Sequence, residues 1–327
     1  MDILIVKLGA LGDVVNTLPL VRIIKNHLNG TITWLVAPLS YPLVSRHPSV
    51  DQAIVFDKTN WSSSLIHAAS RLRSRHFDMA LDLQRTLKSA SFCMLAKSER
   101  RIGFDRKRCK EMSWLFPFER IGTSDPNAHM LDQYLGFAEY LGLPRDDIQW
   151  DISGSGIHPS MLPEDYIVLN IGATKPANRW TGEGFAMLAE AIQDRYAATP
   201  VLTGGKEDTG MADRIAKAAG NTVINLVGRT SIDELIDVLQ YAMAVVTCDT
   251  GPMHLAVALG KDVVSLFGPS DANRTGPFRG TVIRKPHDCA PCNKKRCEDP
   301  VCMKMISHGD VMKELDRLAH IRRRTAI

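Results

Sequence analysis

The turn Asp249–His254, with the sequence DTGPMH, places a carboxylate, a hydroxyl, a glycine and an imidazole close together. The apolar run Ala244–Thr247 predicts a buried strand before it, and Met253–Leu259 predicts a helix after it. Backbone N–H groups and the helix dipole favour an anion at such a helix N-terminus. The same residue types also cap helices, so phosphate binding and capping both remain open. The candidate ligands here are Asp249, Thr250, Gly251 and His254.

A second polar turn, Gly9–Asp13, follows the apolar run Ile3–Leu8 and precedes a helical pattern that begins at Val14. It lacks the G-x-G-x-x-G spacing of dinucleotide sites, which argues against a nicotinamide or flavin cofactor. Asp13 lies just beyond the carboxyl end of the predicted strand, where open α/β sheets bind ligands. Asp13 could therefore contact a substrate, or it could cap the helix.

Cationic residues follow two further predicted strands. Arg85 and Lys88 come after a strand in the first half of the chain, and Lys175 and Arg179 come after one in the second half. The small residues before Lys175, up to Thr174, could form an anion cradle with it. Ordinary solvated charge is the alternative for all of these cations.

The spacing Cys289-x2-Cys292-x4-Cys297-x4-Cys302 is that of a zinc knuckle in which cysteine replaces histidine. Four soft ligands at this spacing could close a tetrahedral zinc site. Disulfides and free thiols are the alternatives, and a reducing compartment disfavours disulfides.

Predicted strands alternate with helices along the whole chain, a pattern typical of βαβ crossovers and a mainly parallel sheet. A length of 327 residues suits two domains, and the flexible sequence Ser153–Gly156 predicts their link. We expect an N-terminal domain over 1–155, a second domain over 156–310 and a C-terminal helix over 311–327.

The composition is that of a globular protein, with 45% hydrophobic and 23% charged residues. No stretch approaches the ~18 apolar residues that span a bilayer, and the N-terminus leads directly into a predicted strand, so a cytoplasmic protein is expected. A formal charge of +4 and 6% aromatic residues argue against nucleic-acid binding.

Taken in order, several motifs over about residues 3–270 resemble glycosyltransferase family 9, the heptosyltransferases that build the lipopolysaccharide inner core. No single motif carries the resemblance; the ordered set does. The matching segments are Lys7-x4-Gly12-Asp13-x5-Pro19, Asp82-Leu83-Gln84, Arg101-Ile102-Gly103-Phe104, Asn225-Leu226-x-Gly228, and Asp249-x-Gly251-x2-His254-Leu255-Ala256 continuing to Phe267-Gly268-Pro269.

The resemblance implies the GT-B fold, with two Rossmann-like, doubly wound α/β domains facing a central cleft. It implies an inverting transfer from ADP-heptose to a lipid A-linked acceptor, with no catalytic metal or other cofactor. The aspartate matching Asp13 is the general base in the family, and we expect a closed cleft to raise its pKa modestly. The implied donor site comprises Thr174, Lys175, Arg179, Asp249, Thr250, Gly251 and His254, and the implied acceptor site comprises Gly12, Arg85, Lys88 and Arg101.

One departure from the family pattern concerns the donor. Relatives commonly carry a lysine two residues before the tryptophan that matches Trp180, whereas this chain has Asn178. Lys175 or Arg179 could supply the missing charge, or the donor could be another nucleotide sugar. A nucleotide-sugar epimerase of the same fold is a further alternative. The cationic acceptor side suits an anionic glycolipid and peripheral contact with the inner membrane face.

Overall fold

The computed structural model describes residues 1–220 and 222–318. Its contacts divide the chain into two compact units, Met1–Ile152 and a second unit that begins at Ser153. The division falls just before the predicted boundary at 155, at the start of the glycine- and serine-rich link. No helix within the described ranges is long and apolar enough to cross a membrane.

The first unit contains a six-stranded parallel sheet with the strand order β3-β2-β1-β4-β5-β6. The strands are β1 (Asp2–Val6), β2 (Thr31–Val36), β3 (Gln52–Val55), β4 (His76–Asp82), β5 (Lys97–Gly103) and β6 (Glu119–Arg120). The helices are α1 (Leu11–Leu28), α2 (Tyr41–Ser45), α3 (Trp61–Arg73), α4 (Leu87–Leu95) and α5 (Met130–Tyr140).

The second unit also contains a six-stranded parallel sheet, with the order β12-β11-β10-β7-β8-β9. Its strands are β7 (Tyr166–Asn170), β8 (Thr199–Thr203), β9 (Ile224–Asn225), β10 (Ala244–Cys248), β11 (Val263–Phe267) and β12 (Thr281–Arg284). Its helices are α6 (Gly182–Tyr196), α7 (Thr209–Ala218), α8 (Ile232–Tyr241), α9 (Gly251–Ala258), α10 (Ala272–Thr275), α11 (Val301–Lys304) and α12 (His308–Leu315).

Both sheets are doubly wound, and each reverses its strand order at one point. The reversal lies between β1 and β4 in the first unit, where Val6 pairs with Asp82. In the second unit it lies between β7 and β10, where Asn170 pairs with Thr247. Loops that follow such strands diverge and leave a crevice for a ligand. The two polar turns found in the sequence, Gly9–Asp13 and Asp249–His254, follow strands at these reversals.

The C-terminal helix belongs to the core of the second unit. Val311, Met312 and Leu315 of α12 are buried in the same apolar cluster as Ile192 of α6. The helix is shorter than the predicted 311–327 element, whose residues after 318 lie outside the described part of the chain. Ser307 caps it, because the Ser307 hydroxyl accepts the N–H of Asp310 at 3.1 Å.

Candidate active site

The carboxylate of Asp13 is held by two side chains from different elements. Lys7 Nζ, at the end of β1, lies 3.2 Å from one carboxylate oxygen, and Tyr134 on α5 donates its hydroxyl proton to the other at 3.1 Å. Lys7 is 1% exposed, whereas the side chain of Asp13 is 33% exposed. Asp13 therefore presents one face to solvent above a buried cation. It is not the N-cap of α1, because that position is Ala10.

Burial opposes the ionisation of Asp13, but the Lys7 and Arg85 charges and the hydrogen bonds from Lys7 and Tyr134 outweigh it and lower its pKa. The expectation of a modestly raised pKa is therefore wrong in this structure. The physical reason is the cation directly below the carboxylate, which the sequence-based argument did not include. Asp13 is ionised at neutral pH and ready to accept a proton.

Lys7 is fixed independently of Asp13. Its backbone carbonyl accepts a hydrogen bond from the Trp34 indole N–H at 2.9 Å, and its ammonium lies 5.0 Å from the centre of the Tyr134 ring. Burial lowers the pKa of Lys7, and the Asp13 carboxylate opposes that shift. Lys7 and Asp13 thus stabilise each other's charged forms.

Arg85 is buried, although the sequence placed it among the residues that meet the acceptor. Its guanidinium donates to the Gln133 side-chain oxygen at 3.2 Å and lies 5.0 Å from the centre of the Phe104 ring. The backbone at Arg85 has a φ of 68°, and its carbonyl accepts the Lys110 N–H at 2.8 Å. Arg85 therefore acts on Asp13 through its charge, from inside the unit.

A cavity of about 380 Å³ opens beside the turn that carries Asp13. Gly9 and Ala10 form part of its wall, and the exposed cations Lys58 and Lys88 line it. Glu111 also lines the cavity, so two cations and one carboxylate border it, and Lys88 is one of the residues predicted to contact the acceptor.

The other two predicted acceptor residues, Arg101 and Gly12, have roles in the fold. Arg101 donates to the carbonyl groups of Cys93 at 3.0 Å and Ala96 at 2.9 Å, so its charge stabilises the C-terminal end of α4. Gly12 is buried in the first turn of α1. Neither residue lines the cavity.

In the second unit, the carboxylate of Asp249 lies at the carboxyl end of β10. It accepts hydrogen bonds from the Asn178 amide at 3.1 Å and the Thr275 hydroxyl at 3.4 Å. Burial raises the pKa of Asp249, against the effects of hydrogen bonds from Ser270, Thr275 and Asn178 and of the Lys175 charge. The loops after β7, β10 and β11 are thereby tied together around one carboxylate.

Within the described residues, the N-cap side chain of α9 makes no capping hydrogen bond. Thr250 occupies the N-cap position, but its hydroxyl accepts a hydrogen bond from the Asn170 amide at 3.2 Å. Asn170 also donates to the Thr247 hydroxyl at 3.1 Å. The capping interpretation of this turn is therefore not what the structure shows, and an anion is the partner that such a helix terminus favours.

The position that differs from the family pattern is buried. Asn178 is 2% exposed and donates to the Ser270 hydroxyl at 2.8 Å as well as to Asp249. It therefore fixes loops and supplies no charge of its own.

The two neighbouring cations differ in their partners. Arg179 lies 2.7 Å from a carboxylate oxygen of Asp208, which is 1% exposed. Burial raises the pKa of Asp208, and the Arg179 charge opposes that rise. Lys175 is half-buried and forms no ion pair within 1–220 and 222–318. Of the two, Lys175 is therefore the cation that is available to bind a ligand.

The remaining donor-side predictions lie on the same loops. Thr174 is exposed, and His254, on the first turn of α9, is 8% exposed. The sequence reasoning missed Asn170, Asp208 and Ser270. Asn170 did carry a signal, because it is a polar residue that ends an apolar strand. Tyr134 carried none, because only the fold brings α5 beside α1.

No cluster of three or more metal-ligating side chains forms within the described residues. None of the seven cysteines, all of which lie within the described residues, forms a disulfide. Cys302 is buried against Gly268, where an added Cβ would lie 2.8 Å from its sulfur, while Cys289 and Cys297 are exposed. Burial raises the pKa of the Cys302 thiol, and charges on Cys289, Cys292 and Cys297 add to this. The zinc site stays a prediction.

Two doubly wound α/β units with polar turns at the carboxyl ends of their strands have the architecture of the GT-B fold. Residues 66–302 match the model of glycosyltransferase family 9 (heptosyltransferase), and the chain belongs to that family.

Two relatives and one solved structure illustrate the similarity. The chain is 27% identical over 283 residues to lipopolysaccharide core heptosyltransferase OpsX of Haemophilus influenzae, covering 84% of this chain and 81% of that protein. It is 26% identical over 352 residues to lipopolysaccharide heptosyltransferase 1 of Pseudomonas aeruginosa, covering 97% and 98%. The structure of E. coli heptosyltransferase WaaC with ADP superimposes with a TM-score of 0.80 at 22% identity, covering 97% and 100%.

Proposed function

We propose that this enzyme transfers heptose from ADP-heptose to the inner core of lipopolysaccharide, with inversion at the anomeric carbon. The observation that carries the proposal is the ionised, partly exposed carboxylate of Asp13 above Lys7, at the reversal point of the first sheet. Its relatives are named lipopolysaccharide heptosyltransferases, which supports the donor sugar and the class of acceptor.

In the proposed reaction, an acceptor hydroxyl attacks C1 of the donor sugar. The new bond forms between the acceptor oxygen and C1, and the bond from C1 to the diphosphate oxygen breaks, so that ADP leaves with the electron pair. The acceptor's proton passes to Asp13. Positioned base catalysis of this kind contributes ~10²–10⁴-fold to the rate.

The donor's diphosphate would bind at the N-terminus of α9 and beside Lys175. Helix N–H groups and an unpaired cation take up the charge that develops on the leaving group. Asp249, Thr250 and His254 lie on the same loops and would position the donor. ADP bound to WaaC supports an ADP-linked donor.

The acceptor would bind in the cavity lined by Lys58 and Lys88, which suits a sugar that carries carboxylates or phosphates. Because lipid A anchors such an acceptor in a bilayer, we also propose that the enzyme acts as a peripheral protein at the inner face of that membrane.

A donor screen tests the proposal. Purified enzyme is given ADP-heptose, other ADP-sugars and UDP-sugars with lipopolysaccharide from truncated-core strains, and product is measured by mass spectrometry and NMR. We expect heptose to be added from ADP-heptose, with Asp13→Asn reducing turnover ~10²-fold or more and leaving donor affinity nearly unchanged. Asp132→Asn, on the exposed face of α5, is the matched control. Product formed without an acceptor would instead indicate an epimerase.

We keep the structural zinc as a separate proposal, which rests on the spacing Cys289-x2-Cys292-x4-Cys297-x4-Cys302. Elemental analysis of the purified protein should find about one zinc per chain, as expected for a single closed four-ligand site. Cys297→Ser should reduce that content and Cys109→Ser should not. Metal-free wild-type protein with full thermal stability would contradict it.

A further inference from the structure

An apolar groove of about 600 Å³ runs between α3 and α4 of the first unit. Its wall consists largely of apolar side chains, and few polar atoms interrupt it. The main contributors are Phe56, Trp61, Leu65, Ile66, Phe92 and Leu95.

The rim of this groove exposes large apolar side chains to solvent. Trp61 is 62% exposed and Ile66 is 71% exposed, and both line the groove from α3. Isolated exposed apolar residues are ordinary, but a contiguous set around an apolar groove marks an interaction surface.

Positive charge accompanies the apolar surface. Arg73 and Lys88 line the groove. Neither α3 nor α4 contains an aspartate or glutamate. The lining of the groove therefore combines a tryptophan, aliphatic side chains and two cations with no carboxylate, although Glu111 lies at the N-terminus of α4. This composition suits an anionic membrane surface.

The groove adjoins the proposed acceptor cavity. Lys88 lines both, so an acceptor sugar in the cavity would lie next to the apolar rim. A glycolipid held in a bilayer has the same order of parts, with a polar head beside a hydrocarbon layer.

We infer that the groove between α3 and α4, with its Trp61 and Ile66 rim, docks on the surface of an anionic lipid bilayer. This inference rests on the proposed glycolipid acceptor for its purpose, but the docking itself does not require that activity. A second copy of the chain fits the surface less well, because a two-fold dimer would pair this lining with itself and bury its cations without an acidic partner from the lining.

Vesicle flotation tests the docking directly. Full-length protein is mixed with vesicles of phosphatidylethanolamine and phosphatidylglycerol, or of phosphatidylcholine alone, and the floated fraction is measured. We expect wild-type protein to bind the anionic vesicles. The Trp61→Ser/Ile66→Ser variant should bind them about tenfold more weakly, or weaker still. Ile157→Ser/Met161→Ser is the matched control, because those residues are 72% and 68% exposed on the second unit.

Charge is tested by a second variant, Arg73→Ser, whose binding to anionic vesicles should be weaker and less dependent on salt. Circular dichroism checks that each variant is folded. The inference is overturned if Trp61→Ser/Ile66→Ser floats like wild type, or if sedimentation shows that these residues drive self-association instead.

Transfer assays separate this inference from the proposed function. Trp61→Ser/Ile66→Ser should transfer sugar to a deacylated, water-soluble acceptor at the wild-type rate and to a vesicle-bound acceptor more slowly. If wild-type enzyme transfers heptose to neither acceptor, the proposed function fails while the flotation result still decides the docking surface.

Discussion

Asp13 and Lys7 form an ion pair in which the lysine charge lowers the pKa of the carboxylate. The ammonium is buried and the carboxylate is partly exposed, so the proton acceptor faces solvent while its charge is balanced from below. A carboxylate with a lowered pKa is a weaker base than an unpaired one, but all of it is ionised at neutral pH. Tyr134 fixes its orientation through a second hydrogen bond.

Replacing Lys7 with methionine should move the acid limb of the kcat/KM profile to higher pH. Burial of Asp13 favours its neutral form, and the Lys7 charge now offsets that effect and holds the pKa low. Without the ammonium, the folded-state pKa rises, so Asp13 protonates at higher pH and activity is lost earlier on acidification.

Tyr134→Phe provides a graded comparison for Lys7→Met, since it removes one hydrogen bond and no charge. Its acid limb should shift in the same direction by a smaller amount. The measurement is the dependence of kcat/KM on pH for both variants. Thermal melts confirm that each variant is folded. An acid limb in Lys7→Met at or below the wild-type position would show that Lys7 does not control Asp13.

At the scale of elements, the loops after β7 and β10 explain why two neighbouring cations should have different roles. Arg179 is committed to the buried carboxylate of Asp208, whereas Lys175 acts on Asp249 only through its charge. Removing Arg179 leaves a buried acid without its partner, and removing Lys175 leaves the packing of the unit intact.

Lys175→Met should therefore weaken ADP binding, by about 10- to 100-fold, the range expected for a lost charge-assisted hydrogen bond. Arg179→Met should mainly lower the melting temperature. Calorimetric titration with ADP and thermal unfolding of both variants separate the two effects. The assignment is wrong if Arg179→Met loses more ADP affinity than Lys175→Met while remaining equally stable.

Much of the element order could be predicted from sequence, for physical reasons visible in β1, β7 and β10. These strands are buried on both faces and read as continuous apolar runs, and their following turns carry glycine and polar residues. Asp13 and the turn Asp249–His254 were found because each follows such a strand.

The side-chain environments could not be predicted from local pattern. Arg85 and Arg101 looked like available cations, yet one is buried against Phe104 and the other stabilises the end of α4. The expected direction of the pKa shift of Asp13 was wrong, because Lys7 and Tyr134 reach Asp13 only in the folded chain. Contacts that form only in the folded chain decided each of these outcomes.

At the scale of the whole molecule, each unit has its own sheet and its own apolar core. Leu4, Val6 and Phe77 belong to the core of the first, and Ile167, Leu169 and Val246 to that of the second. The link is tied to the second unit, because Gly154 and Ser155 donate their N–H groups to Gln240 at 2.7 Å and Asp237 at 2.6 Å. A fragment that begins at Ser153 keeps these bonds.

That fragment should fold alone and bind ADP within a few-fold of the full-length affinity, because α9, Lys175 and the Asp249 loops all belong to the second unit. The fragment Met1–Ile152 should fold and bind no ADP. Circular dichroism and cooperative melting establish folding, and calorimetry measures binding. Introducing Lys175→Met into the second fragment should weaken its ADP binding as in the whole enzyme. A folded second fragment without ADP affinity would show that the first unit supplies essential donor contacts, and the donor site would then have to be redrawn to include residues before Ser153.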